Sequence, residues 1–145
     1  SNVIATAADI SEAALEQAVI DLMSFTNDRG LNIAVMPQAL IIPVELWAEA
    51  EKILKTTQEV GTANNTVNVV RGKFTKGLKI NHYLTDTDAW FIRTNVRDGM
   101  KYFVRRADTF DMDDDFDTDN AKYKATFRCA FGWSDPRGIF GSPGA

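Results

Sequence analysis

The clearest hydrophobic pattern lies late in the chain, between residues 122 and 131. Every odd position there is apolar, and these positions are Tyr123, Ala125, Phe127, Cys129 and Phe131. The residues between them are Lys122, Lys124, Thr126, Arg128 and Ala130. Because side chains alternate between the two faces of a strand, the pattern predicts a β-strand with one buried face and one face towards water or a partner. Gly132 and the turn-forming residues 135–138 end the strand.

Two amphipathic helices are predicted in the first half of the chain. The first has Asp9 as its N-cap and Glu12 completing a capping box, and it runs to about Phe25. The second begins with Pro43 in its first turn. Its apolar stripe consists of Leu46, Trp47, Ala50, Ile53 and Leu54.

Several short strands are predicted between and after these helices. They lie at residues 33–35, 40–42 (after Pro37), 67–70, 78–80 and 89–92. Residues 58–66 form an exposed loop, and residues 95–99, ending in Asp-Gly, connect a hairpin whose returning strand is 101–106. The order of helices and strands predicts one α+β domain over residues 1–145.

Composition limits the class of protein. The chain has 145 residues, one cysteine and a net charge of −4. The single Cys129 allows no internal disulfide framework, and we interpret it as a buried, inert thiol. The acidic balance argues against a protein that grips nucleic acid through its phosphates. The longest apolar run, residues 40–44, is too short to cross a bilayer, and no secretory signal is recognisable.

Six aspartates crowd residues 111–119. Asp111, Asp113 and Asp115 occupy the first, third and fifth positions of a calcium-loop spacing, but Phe116 and Lys122 stand where such a loop needs Gly and Glu. We therefore interpret the segment as an exposed, self-repelling loop, with the three aspartates as weak metal-ligand candidates.

No catalytic set is recognisable in the sequence. His82 is the only histidine, and no nucleophile motif accompanies Ser134 or Cys129. Asp86 and Asp88 resemble paired carboxylates but are also typical of a turn. We predict that the chain is not an enzyme and has no cofactor.

Arginines are interspersed with aromatic residues in the predicted strands. Such a pattern is compatible with single-stranded nucleic acid, yet arginine and aromatic residues are also enriched in protein interfaces, and the chain is acidic. We favour subunit contacts. The candidate interface residues are Arg93, Arg97, Arg128 and Arg137.

Three blocks of sequence, in order, resemble the major capsid proteins of tailed bacteriophages. The first is residues 31–54, around Met36-Pro37-Gln38-Ala39-Leu40-Ile41-Ile42-Pro43. The second is residues 85–92, followed by Asp98-Gly99-Met100-Lys101. The third comprises residues 115–118, 123–125, 131–138 and 140–144.

The resemblance implies an HK97-like capsid fold, mainly the A-domain, with residues 122–145 contributing a strand and tail to the P-domain. It implies a shell subunit that meets copies of itself in pentamers and hexamers, in a virion made in the bacterial host cytoplasm. Packaged DNA lies nearby without being specifically bound, and no membrane is involved. Family members are longer, so we expect this chain to match the C-terminal part of their pattern.

Two other classes of function are kept as alternatives. The first is a small metal-dependent enzyme or ion-binding domain that uses the aspartates of residues 111–119. The second is a nucleic-acid-binding module, whose affinity would fall steeply with salt.

Overall fold

In a computed structural model, residues 2–58, 66–115 and 117–145 of the chain are described. They group into two units. Unit 1 comprises Ser1–Gly99 and Asp135–Ala145, and unit 2 comprises Met100–Ser134. Most of the predicted loop at residues 58–66 lies outside the described residues. Unit 2 is a two-stranded hairpin, so the division does not test whether residues 1–145 form one domain.

Helix α1 spans Glu12–Met23 and confirms the first helix prediction. Its buried stripe is Ala14, Leu15, Ala18, Val19 and Leu22. The predicted N-cap is wrong, because Ser11 caps the helix: its hydroxyl accepts the Ala14 amide at 3.1 Å. Asp9 lies too early to reach that amide, and its carboxylate accepts the amide of Ala145 instead.

Strand β1 spans Pro37–Ile42, so Pro37 begins a strand rather than separating two. The strand predicted at residues 33–35 is wrong, because the Val35 amide donates to the Ile33 carbonyl at 3.0 Å, which turns the backbone locally. Helix α2 spans Trp47–Lys55 and begins later than its predicted start at Pro43. It buries Ala50 and Ile53.

The strand predicted at residues 67–70 is also wrong. Among the described residues, this segment forms one isolated bridge, between Val67 and Gln58. Asn68, which is buried, accounts for this: its amide donates to the Ile53 carbonyl, and its oxygen accepts the amides of Val70 and Arg71. The side chain therefore holds the backbone in a turn that a strand would prevent.

The sheet of unit 1 has the strand order β2-β1-β3-β6. Strand β2 is Leu78–Ile80, β3 is Trp90–Thr94 and β6 is Ile139–Ser142. Strands β1 and β2 are parallel, whereas β3 is antiparallel to both β1 and β6.

The core of unit 1 surrounds strand β3. Trp90 and Ile92 are fully buried, and they pack in one cluster with Leu15, Leu40 and Phe140. The Trp90 indole donates to the Ala8 carbonyl at 3.0 Å, so the largest core side chain also satisfies its only polar atom. The N-terminal segment is bound to the sheet by hydrogen bonds between residues 2–4 and Gly141.

Unit 2 consists of strand β4, Met100–Asp115, paired antiparallel with strand β5, Asn120–Trp133. The predicted hairpin between β3 and residues 101–106 is therefore wrong. Both edges of β3 are already paired, to β1 and to β6, so residues 101–106 form the start of β4 and pair with β5. A short 3-10 helix, Pro136–Gly138, follows β5 and leads into β6.

Candidate assembly surface

The register of the hairpin places most of its large apolar residues on one face, and Phe103, paired with Ala130, lies on the other. Met100 pairs with Trp133 at one end and Asp115 with Asn120 at the other. Two register shifts, between Val104 and Arg106 and between Arg106 and Thr109, each add one residue to β4. The two shifts cancel, so the even-numbered apolar residues on either side of them lie on the same face.

We call this surface the aromatic face. Strand β4 contributes Met100, Tyr102, Val104, Phe110 and Met112. Strand β5 contributes Tyr123, Ala125, Phe127, Cys129, Phe131 and Trp133.

The aromatic face is exposed to solvent. Phe127 is 67% exposed, Phe131 81% and Trp133 75%, and the large residues from β4 are at least half exposed. The prediction of a strand at residues 122–131 is confirmed, but the prediction of a buried face is wrong. A strand buries a face only when another layer covers it, and nothing covers this face in the part of the chain that the structure describes.

Two pairs of aromatic rings pack against each other on the aromatic face. The rings of Tyr102 and Phe131 are 5.1 Å apart, and those of Phe110 and Tyr123 are stacked at 5.9 Å. These are ordinary separations for favourable aromatic pairs. A hydrogen bond to Cys129, together with the charge of that thiol when ionised, raises the pKa of Tyr102 above its ordinary value. Cys129 is partly exposed beside this phenol, so the prediction of a buried thiol is wrong.

The opposite face of the hairpin is mostly polar. Asp111 lies opposite Lys124 and Asp113 opposite Lys122, so the first aspartates alternate with apolar residues along a strand. The prediction of a loop is therefore wrong for residues 111–115, which belong to strand β4, whereas residues 117–119 form a turn. The Thr109 and Thr126 hydroxyls lie 2.7 Å apart on this face.

No metal site is formed by the described residues, among which no three His, Cys, Asp or Glu side chains converge. Asp111 and Asp113 face lysines rather than further carboxylates. The side chain of Asp115, the third candidate ligand, lies outside the described part of the structure. Asp86 and Asp88 belong to an exposed turn in which Asp86 accepts the Asp88 amide at 3.2 Å. His82 is exposed in the segment after β2.

The four candidate interface arginines lie in different settings. Arg93 is exposed on strand β3, and Arg97 is exposed in the turn after it. Arg128 lies opposite Arg106 on the polar face of the hairpin. Arg137 is held within unit 1, where its guanidinium lies 2.7 Å from Asp28 and 3.7 Å from Asp135. Their role in subunit contacts stays a prediction.

Two glycines of unit 1 flank the hairpin in sequence and touch one another. Gly99 precedes β4, and Gly138 follows β5. A Cβ atom on Gly138 would lie 2.5 Å from Gly99 Cα, and one on Gly99 would lie 2.6 Å from Gly138 Cα. The chain therefore leaves and re-enters unit 1 at one point, where only glycine allows the two backbones to approach.

The alternating pattern predicts the aromatic residues of β5, whereas their counterparts in β4 were not predicted. Phe110 and Met112 alternate with Asp111 and Asp113, and this alternation is itself a signal of a strand. The density of aspartates favours a loop and masks that signal.

A family model described as phage capsid protein matches residues 1–141. No curated protein matches the chain. No helix among the described residues is long and apolar enough to cross a membrane.

Two solved structures resemble the chain. One is a virus-like particle from Pyrococcus furiosus, with a TM-score of 0.51 and 16% identity over 97% of this chain and 55% of that one. The other, from Mycobacterium phage Che8, has a TM-score of 0.51 and 14% identity over 99% of this chain and 54% of that one. At these identities the likeness shows the fold alone, and the chain spans about half the length of either structure.

Proposed function

The chain belongs to the phage capsid protein family, and from this premise we propose that it is a structural subunit of a bacteriophage or prophage icosahedral head shell. The observation that carries the proposal is the family match over residues 1–141. The subunit acts through homo-oligomeric contacts, each modest, that are multiplied in a closed symmetric assembly.

The structure supports this proposal through the aromatic face. Exposed apolar patches of this extent mark sites of association, since a soluble monomer rarely leaves so many aromatic side chains in water. The face belongs to a two-stranded hairpin, which is marginally stable alone and gains a second layer when it associates. A shell subunit meets its neighbours over such surfaces.

The proposal extends to the HK97-like arrangement of domains. Unit 1, with its four-stranded sheet, corresponds to the A-domain, and strand β5 corresponds to the P-domain strand expected within residues 122–145. The tail, residues 135–145, lies in unit 1, where β6 pairs with β3. Pentamers and hexamers of the subunit would then tile the shell, and Arg93, Arg97, Arg128 and Arg137 are the candidates for contacts between copies.

The shell subunit works by contact rather than by catalysis, and it needs no cofactor. It resides in the virion and is made in the bacterial host cytoplasm. Packaged DNA lies nearby but is not specifically bound, because a chain with a net charge of −4 does not attract phosphates.

The test is the molar mass of the purified chain by light scattering over a concentration series, with electron microscopy of the same samples. We expect masses of five or six times the 16.1 kDa chain, or closed particles. A chain that forms neither rings nor particles in any condition, including crowded and high-salt solutions, would contradict the proposal.

A further inference from the structure

We propose that Arg106 and Arg128, on the polar face of the hairpin, form a site for carboxylate groups, and that the hairpin tip of a second copy of the chain supplies them. The inference rests on the proposed function, since it names one contact through which copies of a shell subunit meet. The contact is made by charged side chains and does not involve the aromatic face.

The register of the hairpin places two guanidinium groups side by side. Arg106 pairs directly with Arg128, and side chains in such positions have Cβ atoms about 4.5–5.5 Å apart. Arg105 precedes this pair within the first register shift, and all three arginines are exposed. Like charges directly opposite each other in a sheet are destabilising. An anion bound by both guanidinium groups would relieve that repulsion.

No carboxylate in the described part of the chain neutralises this pair. Neither Arg106 nor Arg128 takes part in an ion pair there. The nearest carboxylate in sequence, Asp108, forms no ion pair either, and it acts on Tyr102, whose pKa is raised mainly by Cys129 and in part by Asp108. The two guanidinium groups are therefore available to a partner.

Charge is unevenly distributed along the hairpin. Residues 100–109 and 126–134 contain four basic side chains and one acidic side chain, which gives a net charge of +3. Residues 110–125, which include the tip, contain six aspartates and two lysines, which gives −4. With a rise of ~3.3 Å per residue, the stretch from Arg128 to Asn120 separates the arginine pair from the tip by about 26 Å. The opposite charges therefore meet between copies and not within one hairpin.

Three carboxylates near the tip have no lysine opposite them. Asp114 lies opposite Ala121, and Asp117 and Asp119 belong to the turn. All three aspartates are exposed. A carboxylate accepts two parallel N–H bonds from one guanidinium, and charge-assisted bonds of this kind are roughly twice as strong as neutral ones. The tip of one copy is thus chemically matched to the arginine pair of another.

A second copy suits these charges better than a nucleic acid does. A phosphate would also bind the arginine pair, but the net charge of −4 on residues 110–125 would repel the rest of a nucleic acid strand. A second copy brings carboxylates to the arginines and, at the same contact, neutralises its own self-repelling tip. Both unbalanced charges of the hairpin are then compensated.

The experiment reverses the charge on each side of the contact in the whole chain. Arg106→Glu with Arg128→Glu changes the arginine pair, and Asp114→Lys with Asp117→Lys changes the tip. A third variant carries all four substitutions and so exchanges the charges of the two sides. Asp119 is left in place, because its φ of 54° suits aspartate better than lysine.

The matched control is Arg29→Glu with Arg71→Glu, which makes the same change in net charge at two exposed positions of unit 1. Every substituted position is exposed, so no core side chain is lost. Sedimentation equilibrium measures the association of each protein, and circular dichroism checks its fold.

We expect the dissociation constant to rise about tenfold or more in the arginine variant and in the tip variant. In the four-residue variant and in the control it should stay within about threefold of the natural value. Raising the sodium chloride concentration from about 0.05 M to about 0.5 M should weaken the association of the natural chain and of the four-residue variant alike. Rescue by charge exchange requires the two sides to touch, and a structural role of the arginines within one hairpin would not produce it.

Three results overturn the inference. They are a natural chain that stays monomeric at every concentration at low salt, a four-residue variant that associates no better than the two-residue variants, and equal weakening in the control. Binding of a fluorescent single-stranded oligonucleotide that is lost in the arginine variant, without self-association of the natural chain, would assign the pair to phosphates and overturn it as well.

The contact and the proposed function can fail separately. Rings or particles that persist unchanged in Arg106→Glu with Arg128→Glu would refute the contact while leaving the proposed function standing. Association that follows the charge exchange, without rings or particles in any condition, would support the contact and contradict the proposed function.

Discussion

Strands β3 and β5 each place large apolar residues two positions apart on one face, yet the burial of those residues is opposite. In β3, Trp90 and Ile92 are fully buried, whereas in β5 Phe127 and Phe131 are mostly exposed. The difference lies in what covers them, because β3 is the centre of a sheet against which Leu15 of helix α1 packs. An alternating sequence pattern therefore indicates that a strand has two unlike faces. Whether the apolar face is buried depends on a separate layer that covers it.

The largest expected effect comes from truncating one tryptophan in each region. Trp90→Ala should destabilise unit 1 by about 3–5 kcal/mol, because it empties the centre of the core and leaves the Ala8 carbonyl without the indole. Trp133→Ala should change that stability by less than about 0.5 kcal/mol, since the side chain is 75% exposed. Urea titrations followed by circular dichroism at low protein concentration measure both. Equal losses would show that the face of β5 is buried after all.

A smaller effect is expected where the chain leaves and re-enters unit 1. Gly138→Ala should cost about 1–3 kcal/mol, because its Cβ would overlap the backbone of Gly99. The matched control is Gly132→Ala in the hairpin, whose Cβ would lie at an ordinary 3.5 Å from the Phe103 ring. Thermal unfolding compares the two, and a control as damaging as Gly138→Ala would contradict the proposed role of the glycine contact.

The next prediction compares two arginines, the partly buried Arg137 and the exposed Arg97. Arg137→Ala should lower the stability of unit 1 by about 0.5–1 kcal/mol, since its partly buried guanidinium loses Asp28 and Asp135. Arg97→Ala, at an exposed position, should leave the unfolding curve unchanged. If both variants unfold like the natural chain and only Arg137→Ala impairs assembly, then Arg137 acts in subunit contacts and not in the turn.

The smallest effect concerns the pKa of Tyr102 on the aromatic face. Cys129→Ala should lower that pKa towards its ordinary value, because the thiol is the main cause of the upward shift. Absorbance titration at alkaline pH, with Tyr102→Phe versions of both proteins subtracted, isolates the phenol. An unchanged titration would mean that the two side chains do not interact.

The sequence was sufficient for the elements whose pattern is local. Helix α1, strand β2, strand β3 and much of β5 follow from periodicity, and the capsid family was recognisable from its sequence blocks. Pairing between distant strands was not predictable in this way. Asp98-Gly99 indicates a turn whatever follows it, and only the sheet reveals that both edges of β3 are already paired, to β1 and to β6.

The aromatic face was half predicted. The alternation from Tyr123 to Phe131 indicated which residues form the face. The exposure of the face depends on whether another layer covers it, and the sequence of a single strand does not contain that information. Asn68 illustrates a related limit: three valines favoured a strand, and one buried amide that binds Ile53, Val70 and Arg71 made a turn. The bonds to Val70 and Arg71 are local, and the bond to Ile53 spans 15 residues; together they override the strand propensity of the valines.

The two register shifts of strand β4 are the places where its length can change by one residue. Deleting the extra residue at either shift would remove the irregularity and keep Phe110 opposite Ala125 and Met112 opposite Tyr123, because the face of each β4 residue follows its partner on β5. Deleting a residue of the regular stretch between Phe110 and Asp115 would instead move the following side chains to the other face. The same loss of one residue is therefore tolerated at the shifts and disruptive elsewhere in the strand.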